Sequence, residues 1–145
     1  MSNPGDADTT PIASVDQLAA YIEAGCKPAS EWRIGTEHEK FGFRRTDLAS
    51  PPYLPEPGTR AGIRPLLEAL AAQGGVPIRD GDNPIGLKQD GAAISLEPAG
   101  QFELSGAPVE TLHQTRAEMA AHFAAVRDAA GPLGIGFAPL GFHPL

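Results

Sequence analysis

The stretch from Trp32 to Arg44 constrains the fold most, because its side chains alternate with the period of a β-strand. One face of this strand carries Glu37 and Glu39, followed by Phe41 and Phe43. A half-buried strand normally alternates apolar and polar residues. Two carboxylates at i and i+2 lie about 7 Å apart along the backbone and repel each other. The pattern therefore indicates a face that is partly buried and partly lines a polar space.

Three further segments have the pattern of amphipathic helices. Capping boxes predict helix starts at Ser14 and Thr111, each with a glutamine three residues later. The first helix should end near Gly25 and the last at Gly131. A third helix is predicted over 62–72. The buried face of the last helix is predicted to consist of Leu112, Met119, Phe123 and Val126.

Strands are predicted over 76–79, 87–97, 101–105 and from 135 to 142, with a turn at 81–84. Pro98, Ala99 and Gly100 separate two of them, and three-residue hairpin loops favour glycine in the left-handed position. An antiparallel hairpin would place Glu97 and Glu103 on its two arms, where their side chains can converge on one face.

These elements predict an α+β fold in which flanking helices cover an antiparallel β-sheet. Residues 1–13 lack periodicity and are interpreted as a flexible leader. Residues 14–145 would form part of one domain, truncated at the C-terminus, because a strand pattern begins at Ile135 and no closing helix follows it.

Composition and charge exclude several classes of protein. Hydrophobic residues make up 41% of the chain and no apolar run reaches the ~20 residues that span a bilayer, so no membrane association is expected. The net charge of -7 argues against a nucleic-acid partner. The polar N-terminus lacks a secretory signal, and cytoplasmic localisation is the default expectation. The single cysteine, Cys26, excludes an intrachain disulfide and is expected to pack as a small apolar residue.

The chemistry of the chain is indicated by Glu37, Glu39, Glu97 and Glu103. Carboxylates on neighbouring strands suit Mg²⁺, which phosphate oxygens and water also coordinate. Two such ions can clamp a phosphoryl group during transfer. Glutamates with this spacing are also common on solvated strand faces, so the residues alone leave both readings open. Zinc, P-loop and dinucleotide motifs are incomplete in this sequence.

Two long blocks carry a resemblance to a known family. The block at 32–43, WRIGTEHEKFGF, resembles the first signature of the plant and proteobacterial type of glutamate–cysteine ligase. The block at 94–108, ISLEPAGQFELSGAP, is similar to the second signature, which ETLHQT at 110–115 extends. The resemblance implies a glutamine-synthetase-like fold with a curved antiparallel sheet around the active site.

The resemblance also implies an ATP- and Mg²⁺-dependent ligase that catalyses the first step of glutathione biosynthesis. The side-chain carboxylate of glutamate would form γ-glutamyl phosphate, and cysteine would displace the phosphate. By resemblance, the four glutamates are metal ligands and Gln101 contacts substrate. Lys40 points to the other strand face and is not assigned to phosphate. No residue is assigned to catalysis, and nothing indicates the oligomeric state.

Members of the family are several times longer than this chain. Their substrate-gripping arginines and most of the nucleotide pocket would lie beyond Leu145, so the chain alone is expected to be inactive. Two alternatives stay open. One is a related carboxylate–amine ligase with another amine acceptor, and the other is a non-catalytic fragment that binds metal or a partner chain.

Overall fold

The computed structural model describes residues 9–143, and the chain forms two compact units, Met1–Arg33 and Ile34–Leu145. The first unit contains helix α1 (Val15–Ala24), where the Ser14 hydroxyl accepts a hydrogen bond from the Gln17 backbone N–H, as predicted. A 3₁₀ turn follows at Ala29–Glu31. The predicted flexible leader lies largely outside the described residues, and residues 9–13 form neither helix nor strand. Cys26 lies just beyond the end of α1 and is exposed, so it does not pack as the small apolar residue that was expected.

The second unit is built on one six-stranded antiparallel sheet with two helices. Its strands are β1 (Glu37–Arg44), β2 (Val76–Asp80), β3 (Asn83–Gln89), β4 (Ala92–Glu97), β5 (Gln101–Ser105) and β6 (Ile135–Ala138). The helices are α2 (Ile63–Ala71) and α3 (Leu112–Ala130). The strand order is β2-β3-β4-β5-β1-β6, and every neighbouring pair is antiparallel. The predicted α+β class with an antiparallel sheet is confirmed.

Both helices contribute to the core on one face of the sheet. Leu66 and Leu67 of α2 are fully buried in a cluster that also contains Leu87 and Phe102 of the sheet and Val126 of α3. Full burial of such a side chain contributes about 1.5–3 kcal/mol. This cluster fixes which side of the sheet is covered.

The predicted buried face of α3 is largely wrong. Leu112 is 73% exposed and Phe123 is 43% exposed, whereas the buried residues are Thr115, His122, Val126, Ala129 and Ala130. The prediction favoured the largest apolar side chains. The helix instead turns alanines and a histidine toward the sheet, because small side chains allow close packing and His122 meets a buried lysine. The predicted capping box of Thr111 and Gln114 is confirmed.

Some strand boundaries also differ from the prediction. The predicted strand over 87–97 is two strands, because Asp90 (φ 51°) and Gly91 (φ 83°) form a two-residue turn between β3 and β4. Asp-Gly is a preferred sequence for such turns. The predicted strand at 32–44 begins only at Glu37, and the last strand ends at Ala138.

The predicted hairpin between β4 and β5 is confirmed. Ala99 (φ 61°) and Gly100 (φ 74°) both adopt left-handed conformations, and Glu97 pairs directly with Gln101. This tight turn fixes the register of the two strands, and therefore the face on which each polar side chain of the hairpin lies.

Among residues 9–143, no helix is both long and apolar enough to cross a membrane.

Candidate functional site

The side of the sheet opposite the helices carries the polar residues predicted from the sequence. Because paired residues in an antiparallel sheet share a face, the register of β1, β5 and β4 determines which side chains lie together. The side away from Phe102 and Leu104 carries Glu37, Glu39, Glu97, Gln101 and Glu103, which we call the glutamate face. All five candidate residues are therefore on one side of the sheet.

Two of the glutamates are direct cross-strand neighbours. Glu39 of β1 pairs with Glu103 of β5, which places their Cα atoms about 4.5–5.5 Å apart. Like charges in such positions destabilise a sheet. Within the described residues, neither of these side chains, nor Glu37, forms a salt bridge. The pair thus concentrates negative charge, and the described residues do not compensate it with an ion pair.

Serine hydroxyls orient two of the carboxylates. The Ser105 Oγ donates a hydrogen bond to Glu103 Oε1 at 2.7 Å, and Ser95 Oγ donates to Glu97 Oε1 at 3.4 Å. Both serines lie two residues from their glutamate on the same strand, so each pair shares the glutamate face. The sequence interpretation missed these serines, although the mirrored spacing, Ser-x-Glu before the turn and Glu-x-Ser after it, is visible in the sequence.

The remaining predicted residues flank the central pair. Glu37 lies opposite Ser105, and Glu97 lies opposite Gln101. Glu97 is therefore a diagonal neighbour of Glu103, and the Cα atoms of such neighbours lie about 7–8 Å apart in a sheet. Gln101 is also paired with Phe41 of β1, so its amide lies between an acidic residue and an aromatic ring.

The donor chemistry of this face fits Mg²⁺, although the four glutamates do not form one cage. No group of three or more His, Cys, Asp or Glu side chains in residues 9–143 is arranged to hold a metal ion. Mg²⁺ usually takes only one or two protein carboxylates and completes its shell with water and phosphate oxygens. The direct pair of Glu39 and Glu103 satisfies that requirement in both type and number. The assignment of all four glutamates as ligands stays a prediction.

The opposite side of β1 contains a buried pair that the sequence interpretation did not predict. Lys40 is only 2% exposed, and its Nζ lies 2.6 Å from Nε2 of His122 on α3. Burial lowers the pKa of Lys40 to about 8, and the Glu39 charge opposes that shift. Burial, together with the charges of Lys40 and His38, lowers the pKa of His122 to about 3. The prediction that Lys40 points away from Glu39 is confirmed.

Comparisons with known proteins identify the family of this chain. The family model described as glutamate-cysteine ligase family 2 matches residues 33–145. A chloroplastic glutamate–cysteine ligase of Medicago truncatula is 48% identical over 137 residues, which cover 94% of this chain and 25% of the relative. The enzyme named chloroplastic glutamate–cysteine ligase in Nicotiana tabacum is 49% identical over 130 residues, covering 89% of this chain and 24% of that protein. The chain thus spans about a quarter of the length of these relatives.

The same names overturn the expectation of a cytoplasmic location. The relatives from Medicago truncatula, Nicotiana tabacum and Arabidopsis thaliana are all named chloroplastic enzymes. The expectation rested on the lack of a secretory signal at the N-terminus. A secretory signal says nothing about plastid import, which uses transit peptides of a different composition.

The two signature blocks on β1 and on the β4–β5 hairpin both lie within the matched region. The match covers most of the chain, including every residue of the glutamate face, and relatives at nearly half identity carry the same family name. This chain belongs to glutamate–cysteine ligase family 2.

Proposed function

We propose that the protein containing this chain ligates L-glutamate to L-cysteine at the expense of ATP, with Mg²⁺, in the first step of glutathione biosynthesis. The observation that supports this most is the glutamate face, where Glu39 and Glu103 oppose each other in a member of this family. A sheet surface with this concentration of carboxylates is suited to binding cations that accompany a polyphosphate.

The reaction requires negative groups to approach one another. The side-chain carboxylate of glutamate attacks the γ-phosphorus of ATP, which releases ADP and gives γ-glutamyl phosphate. The amine of cysteine then attacks the acyl carbon, loses a proton and expels phosphate. Catalysis of such a transfer consists mainly of alignment and charge neutralisation. When bound, Mg²⁺ would supply that neutralisation at the phosphate oxygens.

The residues of this chain would hold and orient these groups. Glu39 and Glu103 would be the central metal ligands, with Glu37 and Glu97 at their sides. The hydroxyl of Ser105 keeps the Glu103 carboxylate on the glutamate face. We propose that the amide of Gln101 contacts the substrate, because an amide can donate to a carboxylate without adding charge.

We further propose that residues 14–145 are one part of a larger catalytic domain. The chain spans about a quarter of its relatives, and the glutamate face offers metal ligands without an arginine clamp for the substrate carboxylate. Arginines and a nucleotide pocket from elsewhere in the protein would complete the site. The isolated chain should therefore be inactive.

A turnover assay of the complete gene product tests this proposal. ADP release is measured with glutamate and Mg²⁺, with and without cysteine, for the wild type and for Glu103→Gln. The substitution keeps the shape of the side chain and removes its charge, so kcat should fall about 100-fold or more. The matched control is Glu68→Gln on α2, which breaks only an exposed ion pair with Arg64 on the covered side of the sheet.

Several outcomes would contradict parts of the proposal. Unchanged turnover in Glu103→Gln would exclude this residue as a metal ligand. Equal turnover with several unrelated amines would exclude cysteine selectivity and favour a related carboxylate–amine ligase. Absence of ADP release with every amine tested would favour the non-catalytic alternative.

A further inference from the structure

A cavity lies on the helix-covered side of the sheet, away from the glutamate face. It has a volume of about 260 Å³ and is bounded by β1, β6 and the last turns of α3. Its polar lining consists of His38, Lys40, Arg45 and Arg127. Among residues 9–143, no aspartate or glutamate lines it, although the chain as a whole carries a net charge of -7. The cavity is thus a cationic site in an acidic protein.

Lys40 is the buried cation of this cavity. Its side chain is almost fully enclosed, and its Nζ lies 5.1 Å from the ring centroid of Phe102 and 5.9 Å from that of Phe137. Its hydrogen-bond partner is the ring of His122, which carries no negative charge. No carboxylate forms a salt bridge with it among the described residues. A buried charge normally has a partner of opposite sign, and here that partner is missing.

Two further polar groups at the cavity, His38 Nδ1 and the Arg45 guanidinium, lack a hydrogen-bond or ion-pair partner in the part of the chain that the structure describes. His38 Nδ1 is buried and forms no hydrogen bond. Arg45 makes no side-chain ion pair within the described residues, and its Nη2 lies 3.9 Å from the position that a Cβ on Gly131 would occupy, at the end of α3. Arg127 is near Asp128, at 3.6 Å, but both side chains are largely exposed.

The helix dipole explains only part of this arrangement. The C-terminus of α3 carries partial negative charge, which favours Arg45 and Arg127 nearby. The effect falls off within the last turn and is weak at an exposed site. It does not compensate Lys40, whose ammonium is held by β1 and lies beside His122, in the third turn from the end of the helix.

We propose that this cavity binds a small oxyanion, either a carboxylate or a phosphate. The ammonium of Lys40 would meet its charge, and the planar guanidinium of Arg45 can bind two of its oxygens at once. A water molecule occupies about 30 Å³ in the liquid, so the volume suits phosphate or a small dicarboxylate. The anion is either a free small molecule or the side-chain carboxylate of another segment of the protein.

Titration of the chain with inorganic phosphate and with succinate tests this site. Binding is followed by NMR through the methyl groups of Val126 and Ile135, which line the cavity. We expect saturable shifts that weaken at high ionic strength, and at least a tenfold weaker affinity in Lys40→Met. Lys88→Met, which removes an exposed lysine from β3, is the control and should bind as the wild type does.

A second variant and a second protein complete the test. Arg45→Met alters an exposed side chain and should also weaken binding, so the proposal stays testable if Lys40→Met does not fold. Phosphate binding to the complete gene product as well as to the chain would indicate a free anion. Binding to the chain alone would indicate that a carboxylate of the protein fills the cavity in the longer form. Absence of saturable shifts in both proteins, or unchanged affinity in both cavity variants, would overturn the proposal.

Discussion

The pair formed by Glu39 and Glu103 is the residue-scale feature with the clearest physical meaning. The two carboxylates lie directly opposite each other on adjacent strands. Selection for stability alone would favour a Thr or a charge of opposite sign at one of these positions, because such pairs stabilise a sheet. The chain instead keeps two like charges and orients one of them with a serine hydroxyl. Departures of this kind from the rules of stability are expected at functional sites.

Removal of one charge from this pair should stabilise the chain when no metal is present. We expect Glu39→Gln to raise the free energy of unfolding by about 0.2–1 kcal/mol in EDTA. Addition of Mg²⁺ should stabilise the wild type more than the variant, because the wild type has the better site. Urea unfolding in EDTA and in Mg²⁺ measures both effects. Equal stabilisation of the two proteins by Mg²⁺ would contradict the assignment of Glu39.

The His122 ring introduces a pH dependence on the other side of the sheet. Its pKa is lowered from 6.5 to about 3 by burial and by the nearby charges of Lys40 and His38. The unfolded chain therefore takes up a proton near pH 6.5 that the folded chain accepts only near pH 3. Protons thus favour unfolding, and the contribution of His122 to stability is lost as the pH falls between these values.

The variant His122→Leu should remove this contribution. The stability of the wild type relative to the variant is expected to fall by about 1–3 kcal/mol between pH 7 and pH 4.5. Urea unfolding at several pH values measures this difference, and His113→Leu, at an exposed position on the same helix, is the control. Besides Lys40 and His38, the acid Glu118 lies one turn away on α3, and it is present in all three proteins. A difference that does not change with pH would show that His122 does not titrate in this way.

At the scale of elements, short sequence signals correctly predicted where helices begin and where a hairpin turns. The capping residues Ser14 and Thr111 begin helices, and the glycine at position 100 ends a three-residue hairpin loop. The Asp-Gly signal of the turn at Asp90 and Gly91 is also local, but the sequence interpretation missed it. The buried face of α3 could not be predicted from the helix sequence alone. Packing against the sheet buries alanines and His122 in place of larger apolar residues.

The sequence predicted which residues lie on the candidate site, but it did not predict which of them are neighbours across strands. Alternation along β1 and the hairpin loop indicate which face each glutamate occupies. The contact between Glu39 and Glu103 depends on β1 pairing with β5, which lies far along the chain. The contact between Lys40 and His122 spans 82 residues. Contacts of that separation depend on topology, and periodicity within a single segment carries no information about them.

The capping box of α3 provides a prediction at this scale. The Thr111 hydroxyl accepts from the Gln114 backbone N–H, and the Gln114 side chain accepts from the Thr111 backbone N–H at 2.8 Å. Thr111→Ala should lower the free energy of unfolding by about 1 kcal/mol. Thr111→Ser keeps the hydroxyl and should retain most of the stability in urea unfolding. An equal loss in both variants would mean that the methyl group, and not the cap, is responsible.

At the scale of the whole second unit, the sheet separates two different environments. One side is covered by α2 and α3 and contains the apolar core with the cationic cavity. The other side presents glutamates, Gln101 and serines. This division explains how a strand such as β1 can alternate between Lys40 and Glu39 without conflict, since the two charges belong to opposite sides of the sheet.

The central claim, that the glutamate face binds divalent cations, is tested most directly by paramagnetic NMR with Mn²⁺ in place of Mg²⁺. Broadening is compared between the methyl groups of Ala93 and Ala138 on the glutamate face and those of Leu87 and Leu104 on the covered side. We expect selective broadening of the alanines, reversal by excess Mg²⁺, and loss of the effect when Glu39→Gln and Glu103→Gln are combined. Equal broadening of both sides, or unchanged broadening in the double variant, would contradict the account.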